Sequence, residues 1–107
     1  MPLMELDALR MTAQQFVDYT DALLASAEQG RWRDFLTVFE AREALMDTLI
    51  REAGDELLKR LPDMRQTFEL ALGKNLRIQD LAAARRDELG EELSTVQQQR
   101  RLRMTYR

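Results

Sequence analysis

Turn-forming residues are rare in this chain of 107 amino acids. Glycine occurs only at positions 30, 54, 73 and 90 and proline only at positions 2 and 62, whereas leucine, a strong helix former, occurs eighteen times. Several strands would need several turns, and no stretch alternates apolar and polar residues for long enough to predict a strand. The sequence therefore predicts an all-α fold, with one small domain over residues 1–107.

Three segments carry apolar residues at the three- and four-residue spacing of one helix face. They predict helices over about 4–29, 32–53 and 63–103. Gly30 suits a left-handed residue that closes the first helix, Gly54 marks the end of the second, and Pro62 starts the third where its missing N–H costs nothing. Residues 55–60 fit either a short extra turn or a continuation of the second helix. The predicted architecture is an antiparallel bundle of three main helices.

The third predicted helix is much longer than the other two. At 1.5 Å per residue it spans roughly 60 Å, against about 35 Å for each of the others. Two short helices cannot cover it, and its uncovered part carries an apolar stripe that faces a second copy of the chain, a helix of another protein, or water. We predict that this stripe is a binding groove for a client, formed by Leu89, Leu93, Val96 and Leu102.

Histidine and cysteine are both absent. The chain therefore has no thiolate nucleophile, no disulfide and no Cys-based metal site, and it lacks the most frequent general base and metal ligand. No glycine-rich phosphate loop is present, and no serine lies on a glycine-flanked strand-to-helix turn. We expect a non-enzymatic binding protein without a metal or cofactor.

One enzymatic alternative stays open. Leu6, Leu9 and Arg10 faintly resemble the first helix of small all-helical chorismate mutases, whose reaction needs several cationic groups around a dicarboxylate. Arg10, Arg42 and Arg85 all lie at the edge of an apolar stripe. The simpler interpretation, which we favour, is that the arginine stems cover apolar surface while their guanidinium groups reach water.

The charge distribution bears on partners and location. The net charge of −3 argues against general affinity for nucleic acid. No apolar run approaches the roughly 20 residues that span a bilayer, and the acidic N-terminus lacks the pattern of a signal peptide, so we expect a cytoplasmic protein. The last eleven residues carry four arginines and no carboxylate. Interaction with the negative end of a helix dipole explains them. The functional alternative is a contact with an acidic partner or with nucleic acid, although four arginines and one aromatic residue are too few to predict nucleic-acid binding.

Two aromatic residues have different expected roles. Trp32, the only tryptophan, follows a predicted helix–helix turn and is expected to pack as a structural anchor. Tyr106 lies beyond the part of the bundle that the other helices can cover, where a tyrosine offers contact area at low entropic cost. The residues alone favour neither of two interpretations of Tyr106, a recognition contact and part of a disordered tail.

The order of several motifs resembles one protein family. Residues 27–32, Ala-Glu-Gln-Gly-Arg-Trp, followed by Glu40 and Leu45, are similar to the turn after the first helix of FliT-type flagellar export chaperones. Residues 75–81 and 84–89 resemble the long helix of the same family, and Tyr106 matches the tyrosine in which that helix ends. The resemblance covers roughly residues 20–107, and helix periodicity carries most of it.

This resemblance implies a cytoplasmic chaperone for the filament-cap protein FliD. Such chaperones hold the C-terminal segment of FliD, prevent premature assembly, and deliver it to the export ATPase complex and the FlhA gate. By the same resemblance, Tyr106 takes part in docking to the gate. Some members also bind the flagellar master regulator FlhDC, so a transcriptional co-regulator is the alternative function.

Overall fold

The computed structural model describes the backbone of residues 4–105 and the side chains of residues 4–91. No strand occurs in this part of the chain, and the predicted all-α class is confirmed. Single turns of 3₁₀ helix lie at Gly54–Glu56 and Pro62–Met64. The α-helices are α1 (Leu6–Glu28), α2 (Trp32–Glu52), α3 (Leu57–Arg60) and α4 (Arg65–Thr105). The three long helices α1, α2 and α4 correspond to the three that the sequence predicts.

The turn between α1 and α2 depends on Gly30. Its φ of +71° lies in the left-handed region, as predicted. The Gly30 N–H donates to the Ala27 carbonyl at 3.2 Å, and the Arg31 N–H donates to the Ser26 carbonyl at 2.9 Å. These two bonds form the Schellman motif, which satisfies the last carbonyls of a helix and reverses the chain. The turn therefore sets α2 antiparallel to α1.

We expect Gly30→Ala to destabilise the protein by about 1 kcal/mol, because an L-residue is strained in the left-handed region. A Cβ at Gly30 would meet no atom within 4 Å, so this cost comes from the backbone alone. Gly73→Ala is the matched control: it is equally open, but it lies inside α4. There the same change should stabilise by about 1 kcal/mol. Urea unfolding followed by circular dichroism measures both, and equal shifts in the same direction would contradict the assigned turn.

The segment between α2 and α4 forms extra turns and does not continue α2. Gly54 has a φ of +52°, which ends α2 at this point. The 3₁₀ turn and the four-residue α3 follow, and Pro62 then opens the second 3₁₀ turn that leads into α4. Leu61, between these turns, is fully buried. The connection is therefore anchored in the core.

Two clusters of buried apolar side chains hold the long helices together. The first contains Leu9, Ala13, Leu49, Leu61 and Met64. The second contains Leu23, Ala27, Phe35 and Ile78. Phe68 of α4 packs against the first cluster, so both clusters involve all three long helices. The order of these contacts gives the helix directions: α4 runs parallel to α1, and α2 runs antiparallel to both. This is the predicted three-helix bundle.

The long helix α4 extends well beyond the other two. It has 41 residues, against 23 for α1 and 21 for α2. Its side chains reach the second cluster as far as Ala82, and every residue from Arg86 to Glu91 is exposed. The molecule is accordingly elongated, with extents of 69 × 29 × 21 Å. The predicted mismatch in helix length is therefore present.

Candidate functional site

A groove separates α2 from α4 along the part of the bundle where both pack against α1. Its cavity has a volume of about 830 Å³. The walls run from Phe35 to Leu49 on α2 and from Phe68 to Ala82 on α4, and one end is lined by Leu57 and Leu58. The α1 residues Phe16 and Thr20 form its floor. We call this feature the α2–α4 groove.

The dimensions of the α2–α4 groove match a short helix. Each wall runs over fifteen residues, whose ends are about 21 Å apart at 1.5 Å per residue, or roughly four helical turns. Its volume lies in the range of about 300–1,000 Å³ that is typical of ligand pockets. The groove can therefore receive one face of a helix of about 15 residues.

The walls of the α2–α4 groove are apolar and partly open to solvent. Leu36 on α2 is 61% exposed and Leu72 on α4 is 66% exposed. Phe39 and Met46 add further apolar surface to the α2 wall. Large apolar side chains that remain exposed on both walls of one concave surface are typical of a site for another protein. The surface that this groove offers to another molecule is therefore mainly apolar.

Arg42 lies in the middle of the α2–α4 groove and is only 7% exposed. Its Nη1 donates to Thr20 Oγ1 on α1 at 3.3 Å and to Asn75 Oδ1 on α4 at 3.0 Å. The guanidinium carbon also lies 5.5 Å from the ring centre of Phe16 and 5.8 Å from that of Phe39. The side chain therefore connects all three long helices between the two apolar clusters.

Burial lowers the pKa of Arg42, and the negative charge of Glu43 partly offsets this effect. An arginine nevertheless stays protonated in proteins, so the groove contains a positive charge. The position follows from helix periodicity, because Arg42 is seven residues from both Phe35 and Leu49 and lies on the same face of α2. The fold therefore places a cation within an apolar stripe.

The three arginines that the sequence singles out have different surroundings. Arg10 is paired with Asp63, and Arg85 Nη1 is 3.3 Å from Glu88 Oε2. Of the three, Arg42 alone lines the α2–α4 groove. The expectation that their guanidinium groups reach water is wrong for Arg42, because Phe16 and Phe39 flank its head group and Thr20 and Asn75 accept its hydrogen bonds.

The predicted client-binding stripe lies farther along α4 than the α2–α4 groove. Leu89 is 42% exposed and lies seven residues beyond Ala82, the last lining residue. Leu93, Val96 and Leu102 belong to α4, but their side chains lie outside the described residues. Tyr106 is also outside the described residues. The roles assigned to these five residues stay predictions.

Trp32 lies at the start of α2, beside the end of the groove opposite α3. It is half-buried and packs against the second apolar cluster. Its ring meets that of Phe35 edge to face, with 5.2 Å between the ring centres. Such aromatic pairs add stability beyond their buried area. Trp32 therefore contacts a residue that belongs to both the core and the groove wall.

Sequence reasoning missed the α2–α4 groove itself. The available signal was the breadth of the apolar face of α2, where Leu36, Phe39 and Met46 flank the buried Phe35 and Leu49. Such a face predicts more than one neighbouring helix, but it does not tell whether the second neighbour belongs to the same chain. The structure shows that α4 borders this face without covering it.

No helix among the described residues is long and apolar enough to cross a membrane. No group of three or more histidine, cysteine, aspartate or glutamate side chains in this part of the chain could hold a metal ion. The α2–α4 groove is thus the candidate site that the described residues offer.

Comparison with known proteins adds one finding. The family model described as flagellar protein FliT matches residues 11–107. Searches of curated proteins and of solved structures gave no match. The matched range includes every residue of the α2–α4 groove.

Proposed function

We propose, because the chain belongs to the FliT family of flagellar proteins, that it is a cytoplasmic export chaperone and not an enzyme. In this proposal the C-terminal helical segment of the filament-cap protein FliD binds in the α2–α4 groove. Binding there keeps that segment from assembling prematurely. The chaperone then delivers FliD to the export ATPase complex and the FlhA gate.

The open α2–α4 groove is the observation that carries the proposal. A three-helix bundle that leaves an apolar groove along about four turns has the shape required for a helix-in-groove complex. A helical client would cover Leu36 and Leu72 on the opposite walls, which are otherwise exposed. The same coverage would hide the apolar face of the client from other copies of itself.

The expected energetics suit a chaperone that must release its client. Burial of about 600–800 Å² of apolar surface gives roughly 15–20 kcal/mol of gross stabilisation at about 25 cal/mol per Å². Lost rigid-body freedom and side-chain ordering remove most of this gain, which leaves micromolar to nanomolar affinity. Met46 lies in the groove wall, and its flexible side chain can adapt to the client surface.

We also propose a role for the projecting part of α4. In this proposal the apolar stripe on that part extends the client contact beyond the α2–α4 groove, or pairs with a second copy of the chain when no client is bound. The stripe consists of Leu89, Leu93, Val96 and Leu102. Leu89 supports this idea, because it is exposed on the part of α4 that leaves the bundle. Sedimentation measures the mass of the assembly, so runs with and without client would distinguish the contact with the client from the contact with a second copy.

The proposal is tested by calorimetric titration of the full chain with a synthetic peptide from the C-terminal helical segment of FliD of the same bacterium. We expect saturable binding with one peptide per chain, and no binding of a scrambled peptide of the same composition. A capture experiment from a flagellated cell lysate supplies the second measurement. Absence of peptide binding, or capture of FlhDC without FliD, would contradict the chaperone function and favour the co-regulator.

We expect Tyr106→Ala to weaken binding to the cytoplasmic part of FlhA by roughly tenfold or more, as loss of an aromatic contact residue does. Affinity for the FliD peptide should be unchanged, because Tyr106 lies far along the chain from the groove walls. Tyr19→Ala is the matched control, since Tyr19 is the other tyrosine and lies on α1. Equal loss of FlhA and FliD binding in Tyr106→Ala would refute this division of roles.

A further inference from the structure

Arg42 lies at the middle of the α2–α4 groove, as measured along either wall. It is seven residues from each end of the α2 wall, and its acceptor Asn75 is seven residues from each end of the α4 wall. Seven residues are about two helical turns. A helix that fills the groove therefore has the middle of its apolar face next to this guanidinium group.

The positive charge of Arg42 has no ion-pair partner among the described residues. Arg10, Arg31, Arg51 and Arg85 each have a carboxylate within 4.0 Å, whereas the hydrogen-bond acceptors of Arg42 are the neutral groups of Thr20 and Asn75. Its Nε is buried and has no hydrogen-bond partner in this part of the chain. A buried cation without an ion pair is costly. The exposed carboxylate of Glu43 and the faces of Phe16 and Phe39 offset only part of that cost.

A second buried guanidinium nitrogen provides a useful contrast. Arg60 Nη1 also lacks a partner among the described residues. However, Arg60 Nη2 donates to the Met4 carbonyl at 2.6 Å, and Arg60 does not line the groove. Arg60 therefore joins two segments of the chain, while the cation of Arg42 borders a cavity that is open to an incoming group.

We propose that Arg42 selects client helices that carry a carboxylate, from aspartate or glutamate, at the middle of their apolar face. This inference rests on the proposed function, because it requires that the α2–α4 groove receive a helix. The client is then an amphipathic helix of about 15 residues with one acidic side chain about two turns from each end of its apolar face. The walls bind its apolar residues, and Arg42 fixes its register.

Charge complementarity is the reason to favour this occupant over a fully apolar helix. A fully apolar helix would complete the burial of Arg42 without providing a counter-charge, which makes the cation more costly than in the free protein. A carboxylate at the midpoint would form a charge-assisted hydrogen bond, which is stronger than a neutral one. Because a shift by one turn moves the carboxylate away from Arg42, the pair discriminates between registers.

The test uses three model peptides in titration calorimetry with the full chain. Each is the same leucine-rich amphipathic helix of 18 residues, with glutamate, glutamine or lysine at the middle of the apolar face. We expect the glutamate peptide to bind at least roughly tenfold more tightly than the glutamine peptide, because hydrogen bonds to charged groups are the stronger class. The lysine peptide should bind most weakly. Equal affinity for the glutamate and glutamine peptides would overturn the proposal, and this comparison needs no protein variant.

Substitutions of Arg42 complete a double-mutant cycle. In Arg42→Met we expect the preference for glutamate over glutamine to disappear, and in Arg42→Lys we expect part of it to remain. If the role of Arg42 were merely structural, its substitution would lower the affinity for all three peptides by the same factor. A preference that persists in Arg42→Met would overturn the assignment to Arg42.

The outcomes separate this inference from the proposed function. If the protein prefers the glutamate peptide to the glutamine peptide but does not bind the FliD peptide, the selection by Arg42 stands and the proposed client is wrong. If the FliD peptide binds but glutamate confers no preference, the chaperone function stands and this inference falls. If a second copy of the chain fills the groove, sedimentation shows a dimer that the glutamate peptide cannot dissociate, which would overturn both.

Discussion

We expect Leu72→Asn to reduce the affinity for the client helix by roughly a hundredfold or more. Loss of a buried leucine contact removes about 1.5–3 kcal/mol, and an amide covered by an apolar client without a partner adds a further penalty of about 1–3 kcal/mol. Asparagine adds no charge beside Arg42, so the effect reports on apolar burial. Because Leu72 is 66% exposed in the free protein, its removal leaves the core intact.

Leu70→Asn is the matched control for this experiment. Leu70 lies on the same helix, two residues away, with a similar exposure of 62%, but it does not line the α2–α4 groove. Both substitutions lower helix propensity by the same amount, about 0.5 kcal/mol. We expect Leu70→Asn to retain wild-type affinity in titration calorimetry. Equal losses of affinity in the two variants would exclude the groove as the client site.

The second large effect concerns the core. We expect Leu9→Ala to destabilise the protein by about 3–4 kcal/mol, because Leu9 is fully buried and packs with residues of the first apolar cluster. A small domain has a total stability of about 5–15 kcal/mol, so a large part of it is lost. The free energy of unfolding from urea titration, followed by circular dichroism, provides the measurement.

Leu76→Ala makes the same chemical change where little is buried. Leu76 is 63% exposed on α4, and substitutions at such positions change stability by less than about 0.5 kcal/mol. A loss of less than about 1 kcal/mol in Leu9→Ala would show that the first cluster does not hold the bundle together. A large loss in Leu76→Ala would show that this face of α4 is covered by another chain in solution.

The polar layer at Arg42 explains how the bundle keeps a groove open. The two apolar clusters lie at opposite ends of the bundle, and Thr20, Arg42 and Asn75 lie between them. At this level the long side chain of Arg42 joins α2 to α4 through its hydrogen bond to Asn75. The apolar residues beside this pair therefore stay accessible from one side. We therefore expect stability and binding to depend on different residues, which the Leu9 and Leu72 substitutions test.

Local patterns in the sequence predicted most of the secondary structure. The spacing of apolar residues gave three long helices, and the observed ends differ from the predicted ones by about two residues. Gly30 was predicted as the left-handed residue after α1, because few other residues adopt that conformation without strain. For residues 55–60 the sequence does not distinguish a continued helix from a separate turn, since Leu57 and Leu58 suit both.

The sequence by itself determined the helices, the turn at Gly30 and the excess length of α4, since these depend on residues that are close along the chain. Only the tertiary structure decided that α2 and α4 stand apart on α1, and that the guanidinium of Arg42 is buried between them. Periodicity gives the face on which a side chain lies, but exposure depends on which helix comes next to that face and at what distance. That distance is set by packing among all three helices at once, so no single segment encodes it.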